Sequence, residues 1–294
     1  MRYAILSDIH GNIRALDAAL AHASAQNIQQ YLFLGDYTSR LPWGNAVAEK
    51  IQSIPNAIVI KGNGEAYFAH PMDYSIHQNG LITYNAQALA PSNMAYLLSL
   101  PDIHTIPDPA ATIYMQHSIT LFFRAQKIPE FHTHLYDAPN HTQYLQQARK
   151  AILANKDAAA EIMALPPGIH LFGHNHLQFH MAYEGRIFIN PGSCGNACDH
   201  DNTAAYTILD TTGGNIHIEE IRVPYNIPQT VEALEAHDFT TQHPFYAHLV
   251  KASTLTGKDH FGPFVMALKK AAIESGQASP VSNEFFAEFI STFV

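Results

Sequence analysis

The feature that most constrains this chain is repeated along its first quarter: a short apolar run stops at a small residue, and acidic, imidazole or amide side chains follow at once. "RYAIL" leads into "SDIHGN", "QYLFL" into "GD", and "AIVIK" into "GN". Between the first two runs, "NIRALDAALAHASAQ" places Ile13, Leu16, Ala19 and Leu20 at helical spacing, and the stretch from Trp43 to Ile54 reads as a second helix. Short apolar runs alternating with such helices describe a βαβαβ unit, whose neighbouring parallel strands end on one rim. Functional loops collect on such a rim. The three polar turns are therefore expected to face each other.

Downstream, the stretch from Glu65 to Leu100 turns helical through "YNAQAL" and "NMAYLLSL", and Pro101 closes it. "TIYMQH" is a strand ending at His117. A loop rich in His and Pro follows from Ser118 to Asn140, then a helix in "HTQYLQQARKAILAN". "GIHLFGHNH", "QFHMAYEG", "RIFINPGS", "TAAYTILD" and "NIHIEEIRV" read as successive strands and suggest a largely antiparallel second sheet. Two packed sheets with helices outside is the economical arrangement. After Pro224, "TVEALEAH", "FVMALKKAAIE" and "EFFAEFISTF" carry broad apolar faces. The expected organisation is one domain over 1–224, with a helical insertion at about 66–100, and a helical appendage over 225–294 packed on it.

Composition narrows the class. The chain has 294 residues, 47% of them hydrophobic, which supports a sizeable core and argues against disorder. A formal charge of −9 argues against a nucleic-acid scaffold, although a bound metal can still attract a nucleotide-sized anion. Cys194 and Cys198 match neither a secreted disulfide framework nor a CxxC pair, so reduced thiols and a cytoplasmic location are expected. Asp8 interrupts the N-terminal apolar run before it reaches signal-peptide length, and no stretch is apolar enough for a membrane span.

Asp8, His10, Asp36, Asn63, His117, His174 and His176 all fall at or just past expected strand ends. Carboxylate, imidazole and amide donors suit Mn, Fe, Co, Ni or Zn. Seven ligands with one bridging carboxylate make eight contacts, or about four per ion for a pair of ions left open to water and substrate. The ordered set "DIH", "GD", "GN", "H" and "GHNH", with "NPGSCG" after it, resembles the calcineurin-like metallophosphoesterase family, in its small bacterial and archaeal phosphodiesterase-like branch. The resemblance runs from Met1 to about Val223. It implies an α/β fold, a four-layer αββα sandwich, and two divalent ions, with Mn first among them. It places one ion on Asp8, His10, Asp36 and His176, and the other on Asp36, Asn63, His117 and His174. It implies a phosphate-ester substrate, cleaved by in-line attack of a hydroxide held between the ions, with Asp36, Asn63 and His117 at the reacting centre.

One departure is informative. Where the family has "GNH[DE]", this chain reads Gly62-Asn63-Gly64-Glu65, so it lacks the histidine to which the resemblance assigns help to the leaving group or positioning of the phosphate. A phosphodiesterase or a hydrolase of activated esters is therefore expected ahead of an alkyl phosphomonoesterase, with Glu65 orienting the loop. A non-catalytic module binding a phospho-ligand through metals is the alternative from another class. An amidohydrolase barrel is disfavoured by the strands after His176. Candidate substrate contacts are Arg40 in "GDYTSR", Gly64, Asp199 and His200 in "CDHDN", and Asn12, whose other reading is a helix cap. "FHTH" at 131–134 is read as pocket border or solvent-facing, and specificity is expected from 66–112, 118–140 and the appendage. Oligomeric state is left open.

Overall fold

β1 (Arg2–Leu6) explains the uninterrupted apolar run that opens the chain, because it is covered on both faces. Ala4 and Leu6 pack beneath α1 (Ile13–Ser24) and α2 (Gly44–Gln52), while Tyr3 and Ile5 face a second sheet. In this computed structural model, which describes residues 1–69, 81, 84–119, 146, 150–151, 154–277 and 281–293, β2 (Gln30–Phe33) and β3 (Ile58–Val59) run parallel to β1. β3 is shorter than its apolar run because Lys61 N turns away to donate to Pro101 O at 2.7 Å.

The later strands do not form the largely antiparallel sheet expected from the sequence. β6 (Gly168–Leu171), β7 (Gln178–Tyr183) and β8 (Arg186–Pro191) join β4 (Ile103–Ile106) and β5 (Ile113–Gln116) in the order β4-β5-β6-β8-β7. That sheet is mixed: β5-β6 and β6-β8 are parallel, β4-β5 and β7-β8 antiparallel. β9 (Ala204–Asp210) and β10 (His217–Val223) cross to the first sheet, in the order β10-β9-β1-β2-β3. Burial supplies the reason. β9 is apolar on both faces and must be covered on both, so it sits inside the sheet beside β1; β10 alternates exposed and covered residues and takes the edge. β4 went unread because its "IHTI" lies on an exposed edge.

Three apolar interfaces define four layers. Leu16, Ala19 and Val47 cover the outer face of the first sheet. Tyr3, Ile5, Leu32 and Leu34 meet Ile113, Met115, Leu171 and Ile189 between the sheets. Ala158 and Ile162 of α5 (Lys156–Ala164) cover Phe172, Phe179 and Phe188 on the far side. Each fully buried side chain of this kind contributes about 1.5–3 kcal/mol.

α3 (Asn63–Ala69) and α4 (Pro91–Ser99) occupy parts of the expected helical stretch. Most of the 118–140 loop, with its "FHTH", and most of the helix expected over 141–155 lie outside the described residues. The C-terminal region folds as α6 (Ile227–Glu235), α7 (Asp238–Gln242), α8 (Pro244–Thr256), α9 (Phe261–Glu274) and α10 (Asn283–Phe293). Their apolar cluster, including Phe239, Tyr246 and Phe264, takes in Leu41 and Trp43 from the loop after β2. Among the described residues, no helix is long and apolar enough to cross a membrane.

Candidate metal centre

The polar turns converge through unusual backbone. Asp8, His10, Asp36, His174 and His176 all adopt left-handed conformations, with φ between 50° and 70°. For residues with a Cβ this costs roughly 1–2 kcal/mol each, so the surrounding structure must hold them. Backbone hydrogen bonds do so: Asp8 N donates to Gly35 O at 3.0 Å, His10 N to Asp36 O at 3.0 Å, and Gly173 N to His117 O at 2.9 Å. Close approach also demands glycine. A Cβ on Gly62 would lie 2.2 Å from Asp36 Oδ1, and one on Gly173 would lie 2.4 Å from Asp8 Oδ2.

All seven expected ligands come together. Asp8 Oδ1 lies 3.3 Å from His176 Nε2 and 3.8 Å from His10 Nε2, and the two Nε2 atoms are 3.1 Å apart. On the other side, Asn63 Oδ1 lies 3.0 Å from His117 Nε2 and 2.6 Å from His174 Nδ1. Asp36 stands between the groups, with Oδ2 3.8 Å from His10 Nε2 and Oδ1 3.5 Å from His117 Nε2. Two compact triads could each hold an ion: Asp8, His10 and His176, and Asp8, Asp36 and His117. Asp8 belongs to both, a sharing that the sequence reading gave to Asp36 alone.

The hydrogen bonds around the cluster test whether it suits a cation. His10 Nδ1 donates to Thr38 O at 3.1 Å, His117 Nδ1 to Leu34 O at 2.7 Å, and His176 Nδ1 to Asn196 O at 2.6 Å. A carbonyl only accepts, so each Nδ1 carries a proton, and in the neutral ring, the form that binds a metal, Nε2 turns a lone pair inward. Two such lone pairs at 3.1 Å, beside a buried Asp8 Oδ1 with no hydrogen-bond partner, call for positive charge between them, which a proton on His176 or a bound cation supplies. The donor set fits a borderline divalent ion.

Buried charges shift one another. Burial, with His176 beside it, holds His10 well below the ordinary imidazole range. Against the opposing effect of burial, Cys198 and Asp8 hold His176 well above it, and Asp36 and Asp8 raise His117. Glu65 is fully buried and accepts from three backbone N–H groups: Asp36 N at 2.9 Å, Tyr37 N at 2.8 Å and Gly62 N at 3.0 Å. Burial and then the Asp36 charge push its carboxyl up to about 7, against those three donors. It clamps the turn after β2 to the turn after β3, the orienting part expected of it.

The substrate candidates fare differently. Asn12 takes its other reading: it is buried and caps α1, accepting from Ala15 N at 3.2 Å and donating to Gly195 O at 2.9 Å. Gly64 donates its N–H to Asp36 Oδ1 at 2.7 Å, so the peptide braces a candidate ligand. Asp199 is engaged by Arg222 in a buried ion pair, which removes it from the rim. His200 is exposed, with its N–H given to Gly257 O at 2.8 Å. The Arg40 guanidinium lies over the Phe261 ring, 3.7 Å from its centroid. Sequence reading missed two supports. Asn190 donates to Gly173 O at 2.9 Å and to Asn175 Oδ1 at 2.7 Å, and Ser193 donates to Asp8 O at 2.6 Å. Both belong to the "NPGS" motif.

The sequence profile of the calcineurin-like phosphoesterase superfamily domain matches residues 1–214. The chain belongs to that superfamily. The uncharacterized protein MJ0912 of Methanocaldococcus jannaschii is 25% identical over 249 residues, covering 79% of this chain and 90% of that protein. Two solved structures share the fold. A metallophosphoesterase from Sphaerobacter thermophilus aligns at TM-score 0.59 and 20% identity, covering 86% of this chain and 100% of that one. The hypothetical protein PH1004 from Pyrococcus horikoshii OT3 aligns at TM-score 0.64 and 18% identity, covering 88% and 99%. The matched residues include the whole second sheet and every strand of the first but β10, and the buried Asp and His triads within them are candidate metal ligands.

Proposed function

We propose that this chain is a two-metal phosphoesterase that prefers phosphodiesters and activated esters to alkyl phosphomonoesters. The observation that carries the reading is the buried meeting of His10 Nε2, His176 Nε2 and the unpartnered Asp8 Oδ1, a cluster of acceptors that calls for a cation. Asp8, His10, Asp36 and His176 would hold one ion, and Asp36, Asn63, His117 and His174 the other. Mn is the first expectation, and Fe, Co, Ni and Zn suit the same mixed donors. When bound, two such ions supply Lewis acidity toward phosphoryl oxygens and lower the pKa of water from 15.7 to about 7.

The chain's own residues do the rest. Asp36 directs its two oxygens at different histidines, which supports a bridging role. The carbonyls of Thr38, Leu34 and Asn196 fix the tautomers of His10, His117 and His176. Arg40 is the candidate contact for the phosphoryl group. Gly64 brings no proton donor, and a general acid is typically worth about 10²–10⁴ in rate, so esters of poor leaving groups suffer most. Mn²⁺-dependent hydrolysis of a bis-aryl phosphodiester, an aryl phosphomonoester and an alkyl phosphomonoester tests this. The expected order is diester first and alkyl ester last, with turnover abolished in Asp36→Asn. Metal binding with no turnover of any of the three would instead favour a non-catalytic phospho-ligand module.

A further inference from the structure

The loop that delivers Asp36 to the centre continues outward through Ser39, Arg40 and Leu41, and the metal site pins its backbone on either side of Arg40. His10 Nδ1 lies 3.1 Å from Ser39 Oγ, and Leu41 N donates to His10 O at 2.8 Å. Arg40 itself is half-buried, within electrostatic reach of the Asp259 carboxylate first, then of Cys198 and Asp36, and of His10. Among the described residues its guanidinium has no hydrogen-bond partner. What it has is a ring face from the C-terminal helices, with Phe261 at 3.7 Å from centroid to guanidinium carbon.

Phe261 is held as firmly as Arg40. It opens α9, where the Asp259 carboxylate accepts from Phe261 N at 3.0 Å and from Gly262 N at 2.9 Å. The turn just before it, 257–260, is tied to the loop between β8 and β9: His200 N donates to Gly257 O at 2.8 Å, and Asp199 pairs with Lys258 in an isolated backbone bridge. Leu41 and Phe261 share one apolar cluster. The C-terminal unit therefore borders the loop that carries Asp36 and the loop whose Asn196 carbonyl holds the His176 ring.

We propose that the C-terminal helical unit is part of the substrate site, with Phe261 seating the Arg40 guanidinium so that its edge receives the phosphoryl group of the ester. The chemistry favours a ring here. A carboxylate partner would occupy the guanidinium's donors, whereas an aromatic face takes the flat of the cation and leaves the in-plane N–H groups free for bidentate binding of phosphate. Phe261 is then a positioning residue that acts through Arg40. This inference rests on the phosphoesterase reading, which supplies the phosphoryl group to be bound.

The test pairs turnover with a binding measurement that needs no turnover. In the Mn-loaded full-length protein, Phe261→Leu keeps an apolar side chain but removes the ring. It should raise KM for the bis-aryl phosphodiester, and the calorimetric dissociation constant of inorganic phosphate, by about 2- to 30-fold, the range of a cation–π contact. The change should fall on KM rather than kcat, and Phe261→Tyr should restore both constants. Arg40→Lys should weaken phosphate binding as well, and adding Phe261→Leu to it should cost little more, since both act on one contact. An unchanged phosphate constant in a folded Phe261→Leu protein, or full additivity in the double variant, would overturn the proposal. Phosphate binding that responds as expected while no ester turns over would sink the catalytic reading and leave the role of Phe261 standing.

Discussion

At the residue scale, the centre is decided by where protons and lone pairs are allowed to sit. His10, His117 and His176 are ordinary imidazoles until a backbone carbonyl claims each Nδ1 and turns the other nitrogen inward. Glu65 makes the same point for the backbone, since its two oxygens gather N–H groups from Asp36, Tyr37 and Gly62 that would otherwise be buried without partners. Glu65→Gln replaces one acceptor oxygen with an N–H₂ group that must face one of those donors. The expected cost is about 1–3 kcal/mol of unfolding free energy, with about 10-fold or more weaker metal binding, read by denaturant titration and metal analysis. A stable variant with unaltered Mn affinity would show that the clamp is not needed.

At the scale of elements, the two sheets are joined by more than apolar packing. Asp108, in the turn between β4 and β5 of the second sheet, accepts from Tyr3 Oη of β1 at 2.8 Å and from Thr211 Oγ1 just past β9 at 2.8 Å. Burial works against its charge, but the donors of Ala110, Thr211 and Tyr3 outweigh burial and hold the carboxyl below its usual range. A depressed folded-state pKa stabilises the protein above the unfolded value, near 3.9, and that contribution is lost as pH falls through the folded value. Asp108→Ala should therefore cost about 1 kcal/mol at neutral pH, and the gap from the parent protein should close as the solution is acidified below about pH 4. Unfolding curves collected across that range give the answer; a gap that ignores pH would mean the carboxylate charge is irrelevant.

For the whole molecule, the C-terminal helices share a core with a loop of the calcineurin-like domain. Leu41 is buried among Phe239, Tyr246 and Phe264, and Asn202 Nδ2 donates to Leu255 O at 2.8 Å. Units coupled this closely are expected to melt together, so calorimetry of the full chain should record one transition rather than two. A ligand that binds only the folded state shifts that transition by mass action. Mn²⁺ at about 100 times its dissociation constant should add about 2.7 kcal/mol of stability, and Asp8→Asn should abolish the shift. Two resolved transitions, with only one of them moved by Mn²⁺, would separate the appendage from the site.

The sequence alone determined the inventory of the centre and its order, because buried strands must be apolar and so leave their polar cargo at their ends, where "DIH", "GD", "GN" and "GHNH" stand out. The three-strand parallel unit around β1 was legible for the same reason. What only the tertiary structure decided were relations between distant segments. These include the crossing of β9 and β10 to the first sheet, the left-handed turns at five of the candidate ligands, the carbonyls that set three imidazoles, and the Phe261 ring beneath Arg40. Periodicity reports which residues shun water. It is silent on which buried surface, carbonyl or ring each one will meet, since those partners arrive from far along the chain.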